Sequence, residues 1–113
     1  MNQSLRGDIV WAHLSPVIGS EQAGKRPVVI ISGNTLNHHL PVRIVCPITS
    51  EGRVSTGRIL IPSGKLSGLK KDSYALSFQV RTVSVKRLSK KIGSVTETQL
   101  RDIVESLNNI LTY

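Results

Sequence analysis

The sequence predicts a mainly β protein, a small antiparallel barrel followed by one C-terminal α-helix. Three observations carry that expectation. Five short runs rich in β-branched residues are each bounded by Gly, Pro, Ser or Asn. Several of these runs are apolar on both faces, which suits a curled sheet or small barrel better than a flat sheet with one wet face. The tail alone switches to a helical period.

In chain order the expected strands are Asp8–Leu14 (DIVWAHL), Pro27–Gly33 (PVVIISG), Val42–Ile48 (VRIVCPI), Gly57–Pro62 (GRILIP) and Ser73–Val83 (SYALSFQVRTV). In the last of these, alternation puts Tyr74, Leu76, Phe78 and Val80 on an apolar face and Ser77, Gln79 and Arg81 on the other. The stretch NTLNHHL reads as a loop. The Gly- and Ser-rich segment from Val54 to Lys71 reads as a mobile loop around its one short strand. In the tail, Leu100, Ile103, Val104, Leu107, Ile110 and Leu111 form one stripe of a helix that packs on the barrel. Thr96 with Gln99 fits a capping box, Val95 with Leu100 fits a hydrophobic staple, and Glu97 suits the positive end of the helix dipole.

With 113 residues the chain is expected to form one domain, 1–113, with a single modest core. One Trp, two Tyr and one Phe leave that core to Val, Ile and Leu. No apolar run approaches the roughly 20 residues of a membrane span, and MNQSLRGD lacks the apolar segment of a signal peptide, so a cytoplasmic protein is expected. A lone Cys46 excludes an internal disulfide and metal sites built on paired cysteines. Residues 1–95 hold fourteen of the fifteen Lys and Arg against Asp8, Glu21, Glu51 and Asp72, a balance of +10, whereas the remainder is −2. Such a body attracts a polyanion, either nucleic acid or an acidic peptide.

Chemistry concentrates in GSEQAGKRP, which runs from Gly19 into the most apolar strand. Its glycines free the backbone to present Glu21, Gln22 and Lys25, and Pro27 pushes Arg26 towards an extended conformation. A guanidinium held at a loop–strand junction suits a phosphate or carboxylate; an Arg26–Glu21 pair also reads as a solvated surface ion pair.

RGDIVWAHLSPVIGSEQAGKRPVVIIS resembles the opening of the MazF/PemK family of bacterial toxins, VCPITS its second motif and FQVRTVSVKRL its third. The resemblance implies an SH3-like barrel with a C-terminal helix, a homodimer, an acidic antitoxin partner, and metal-independent, cofactor-free endonuclease action on RNA. It gives Arg26 and Thr49 the central catalytic roles. Arg26 is a permanent bidentate phosphate clamp and a poor base, Thr49 donates to a phosphoryl oxygen, and Glu21 is the candidate base. Gln22, Lys25, Ser50, Gln79 and Arg81 are the expected RNA contacts. Some relatives carry an acid directly before the Gln of the third motif; Phe78 stands there in this chain, so a mechanism using that acid is closed to it. The rival reading is a non-catalytic toxin or binding module on the same barrel, like the gyrase-poison relatives.

His13, His38 and His39 bring imidazoles to mind, but neighbouring residues diverge and a catalytic pair is not expected. Cys46 reads as a buried small hydrophobe. The basic run Lys86, Arg87, Lys90 and Lys91 reads either as a solvated surface or as a steering patch for RNA.

Overall fold

The computed structural model describes residues 3–14 and 24–113. Seven strands occur in it: β1 (Asp8–His13), β2 (Lys25–Ile30), β3 (Val42–Thr49), β4 (Arg58–Ile61), β5 (Ser73–Leu76), β6 (Arg81–Ser84) and β7 (Leu88–Ser94). The helices are α1 (Asn34–His39) and α2 (Glu97–Thr112), with single 3-10 turns at Ser77–Gln79 and Val85–Arg87. Every pairing is antiparallel, along the path β4-β5-β3-β2-β1-β7, with β6 added to β3. The mainly β architecture with a C-terminal helix is therefore as expected. Barrel closure is not: among the described residues, no ladder joins the ends of the path, β4 and β7. The connection between β4 and β5 lies against β7 instead, where the Ser94 amide donates to the Leu66 carbonyl at 2.8 Å.

Both faces of the central strands are buried, and alternation sorts them into two clusters. Ile9, Val29, Cys46 and Ile48 join Ile61, Ala75 and the helix residues Leu100 and Ile103. Val10, Ala12, Leu14, Val28, Ile30 and Val45 join Val83 and Leu88. Burial of Cys46 in the first cluster pushes its thiol from 9.0 up to about 12. The folded value lies above the unfolded one, so the associated stability is intact below pH ~9 and is lost as the pH rises from there towards 12. Cys46 is expected to resist thiol reagents at pH 8 in the native protein and to react at once in guanidinium. Rapid native labelling would contradict this burial.

Helix α2 begins as its sequence requires. Thr96 Oγ1 accepts from the Gln99 amide at 3.1 Å, and Gln99 Oε1 accepts from the Thr96 amide at 2.8 Å. The stripe seats Leu100 and Ile103 fully and Leu107 partly, but Leu111, 76% exposed, has run past the sheet.

Two expectations need correction. The run Ser73–Val83 is two strands, not one. Ile48 pairs with Ala75 and Val45 with Arg81, so a step of three residues along β3 faces a step of six in its partner, and the excess is taken up by the Ser77–Gln79 turn. That turn breaks the alternation: Ser77 is buried, bonding the Gly57 carbonyl and Ser106 Oγ, while Phe78 is 46% exposed with the Arg58 guanidinium 5.8 Å from its ring centroid. The basic run continues into β7, an edge strand whose exposed lysines guard an open edge and whose Lys91 pairs with Asp8 at 3.1 Å. NTLNHH is the short helix α1, anchored by buried Asn37, whose amide donates to the Ser32 carbonyl and whose oxygen accepts from Ser32 Oγ. Within the segment from Val54 to Lys71, which carries β4 as its one strand, Ser67 Oγ donates to the Pro62 carbonyl and the Ser63 amide and hydroxyl donate to Asp72. No helix among the described residues is long and apolar enough to cross a membrane.

Candidate functional site

Gly24, at a φ of +72°, turns the chain into β2, and Arg26 follows as a half-buried strand residue opposite Ala12. On its other edge β2 pairs with β3, Val28 lying opposite Pro47. Continued by two residues, this register sets Arg26 beside Thr49, the last residue of β3, and alternation puts both side chains on the same face. Two distant segments, in that extended register, carry a guanidinium and a hydroxyl on one face of the sheet. Thr49 is only 6% exposed, and its Oγ1 accepts from the Glu51 amide at 3.2 Å, which leaves the hydroxyl proton free to donate.

Glu21 and Gln22 lie outside the described residues. Exposed Lys25 extends its ammonium over the Trp11 ring, 5.5 Å from the centroid. Ser50 is exposed immediately after Thr49, and Gln79 is half-buried at the end of its 3-10 turn. Arg81 is drawn into the framework, donating through Nη1 to the Leu14 carbonyl at 3.3 Å, and Arg87 donates to the His13 carbonyl at 3.2 Å. Two cations thus hold the end of β1. His38 and His39 are both exposed on α1, and His39 Nδ1 lies 2.7 Å from the Thr35 carbonyl.

Beside Arg26 opens a cleft of about 590 Å³. Its apolar walls are Trp11, Pro27, Ile48, Leu69 and Ile92; Ser50 and Ser73 add hydroxyls, Lys70 and Lys71 add cations, and Arg26 lines it at the start of β2. No Asp or Glu is among the described residues that line it. Asp72, next to Lys71 in sequence, is turned onto Ser63, and those two hydrogen bonds hold its carboxyl below the usual carboxylate range. Sequence reasoning passed over Trp11, Lys70 and Lys71. The paired lysines after SGL were the available signal, hidden by a composition that reads as loop. Among the described residues no group of three or more His, Cys, Asp or Glu is gathered as a metal site would require.

A model of the PemK-like, MazF-like toxin of type II toxin–antitoxin systems matches residues 5–111. Among solved structures, MazF from Deinococcus radiodurans superposes with a TM-score of 0.85 at 21% identity, covering 97% of each chain. The Mycobacterium tuberculosis toxin MazF-mt6 gives 0.76 at 24% identity, covering 92% of this chain and 95% of that one. An endoribonuclease in complex with its cognate antitoxin, from a mycobacterial species, gives 0.78 at 21% identity, covering 96% and 94%. At such identities the likeness is one of fold.

Proposed function

Because this chain belongs to the PemK-like, MazF-like family of type II toxins, we propose that it is a metal-independent endoribonuclease acting on single-stranded RNA. The observation that supports this reading is the β2–β3 register, which continued by two residues sets Arg26 across from Thr49, next to a cleft whose described lining residues include cations and no Asp or Glu. RNA supplies its own nucleophile. The 2′ oxygen forms a bond to the adjacent phosphorus as its proton passes to a base, and the bond from phosphorus to the 5′ oxygen breaks as that oxygen takes up a proton. Arg26 holds the crowded phosphate through two parallel donors and supplies charge where it develops, in a part of the sheet that is half-buried. Thr49 donates its free hydroxyl proton to a phosphoryl oxygen. Glu21 is the proposed base, and Gln22, Lys25, Ser50 and Gln79 are proposed RNA contacts; Arg81 acts there through the carbonyl it holds.

The +10 balance of the body suits both RNA and an acidic protein. A cognate acidic antitoxin is the proposed inhibitor, and a homodimer is the proposed assembly, in keeping with a relative of the same fold described with its antitoxin. The test is incubation of the purified protein with a long RNA in excess EDTA. Cutting is expected to persist and to leave 2′,3′-cyclic phosphate and 5′-hydroxyl ends. Loss of cutting on chelation, or 3′-hydroxyl products, would rule this mechanism out.

A further inference from the structure

The cleft beside Arg26 has a composition that phosphate chemistry alone does not explain. Alternation along β1, β2 and β3 puts Trp11, Pro27 and Ile48 on the face of the first apolar cluster, whereas Ala12, Arg26 and Thr49 face the other way. The cleft is therefore the uncovered end of a core face. Its fourth wall is the connection between β4 and β5, which is held tightly: Gly68 donates to the Gly64 carbonyl at 2.9 Å, and the Gly64 amide to the Leu69 carbonyl at 3.2 Å. Lys70 and Lys71 thus stand on a fixed ledge, with Asp72 turned away from them onto Ser63. An aromatic and aliphatic interior and a cationic rim, with no acid among the described lining residues, describe a receptor for a flat apolar group that carries an anion.

We infer that this cleft is a nucleotide subsite, taking one nucleotide of single-stranded RNA with its base against Trp11, Pro27 and Leu69 and its phosphate on Lys70 and Lys71. Its volume of about 590 Å³ falls in the range of small-molecule pockets. Unpaired bases are recognised by burial against aromatic and apolar side chains, and Trp11 offers the one indole in the chain. Arg26 borders the cleft as the residue of β2 before Pro27, but its side chain stands on the opposite face of the sheet, so the nucleotide held in the cleft is a contact separate from the phosphate that Arg26 clamps. The subsite rests on the proposed reading of RNA as substrate but not on the role proposed for Arg26.

Trp11 is the only tryptophan, so its fluorescence reports directly on occupancy. The probes are eight-residue 2′-O-methyl oligomers of uridine, adenosine and cytidine, titrated at fixed salt. Saturable quenching is expected with at least one oligomer. The exposed pair Lys70→Glu with Lys71→Glu should weaken it roughly tenfold or more, while Lys65→Glu with Arg101→Glu, equal in charge change but outside the cleft, should stay within about threefold. If the glutamates unfold the protein, Lys70→Gln with Lys71→Gln should weaken binding by roughly threefold or more, against less than about 1.5-fold for Lys65→Gln with Arg101→Gln. Absence of quenching, equal weakening in both pairs, or quenching by an acidic peptide but by no oligomer would overturn the subsite. Cleavage assayed in parallel separates the two readings. Cutting without quenching leaves the nuclease and removes the subsite, whereas lysine-dependent quenching without cutting does the reverse.

Discussion

Arg26→Ala is expected to lower the rate of RNA cleavage at saturating RNA by roughly 100-fold or more, the scale of losing one preorganised donor to a charged transition state. The effect falls on turnover rather than on binding, because the clamp is worth most when the phosphate is crowded and its charge concentrated. Affinity for RNA has many other contributors on a body of net charge +10. Thr49→Val, which removes only a hydroxyl, is expected to slow turnover by roughly tenfold to 100-fold. It also removes the acceptor for the Glu51 amide, a loss of about 1 kcal/mol that leaves the fold standing. Single-turnover kinetics with both variants checks this. Normal rates in both, with loss of cutting in His38→Ala or His39→Ala, would move the chemistry to α1.

The largest structural effect is expected at Gly68. A Cβ there would lie 1.8 Å from the Ile92 carbonyl oxygen and 2.7 Å from its carbonyl carbon, and the residue sits at a φ of +71°. Those neighbours are backbone of β7 and cannot rotate aside, so Gly68→Ala must either pull β7 from β1 or lift the ledge that carries Lys70 and Lys71. We expect a loss of about 3 kcal/mol, from a displaced backbone added to left-handed strain, and a fall in melting temperature of roughly 10 °C. Gly24 provides the comparison within the same molecule. Its φ of +72° is nearly identical, but nothing lies within 4 Å of its Cβ position, so Gly24→Ala should cost only about 1 kcal/mol. Equal melting temperatures for the two variants would show that the crossing at Ile92 is looser than described.

What was legible in the sequence follows a physical line. Helix α2 could be read to its cap, because Thr96, Gln99 and the spacing of Leu100, Ile103 and Leu107 are local signals. Strands β1, β2 and β3 could be read because each has a run buried on both faces, which makes that run apolar. The split between β5 and β6 could not. Nothing local marks Ser77 as a turn; it turns in because Gly57 and Ser106, far along the chain, offer it partners. Nor could β7, since an edge strand needs few apolar residues and its lysines look like any solvated run. At the site, Arg26 and Thr49 were named from a family resemblance, and their juxtaposition follows from the β2–β3 register, whereas the cleft depends on a chain crossing that no local pattern encodes.

The pairing of β1 with β7 has a consequence in time. Asp8 meets Ser94 and Ala12 meets Leu88, so the first strand of the chain is completed by the last. Contacts between such distant residues are slow to form, and a chain leaving the ribosome cannot make them until β7 has emerged. Before that moment β1 has β2 alone beside it, the carbonyls of His13 and Leu14 lack the guanidiniums of Arg87 and Arg81, and the ledge at Gly68 has no Ile92 to cross. The strand that carries Arg26 is synthesised early but reaches its final surroundings late, only after β7 has emerged to complete β1.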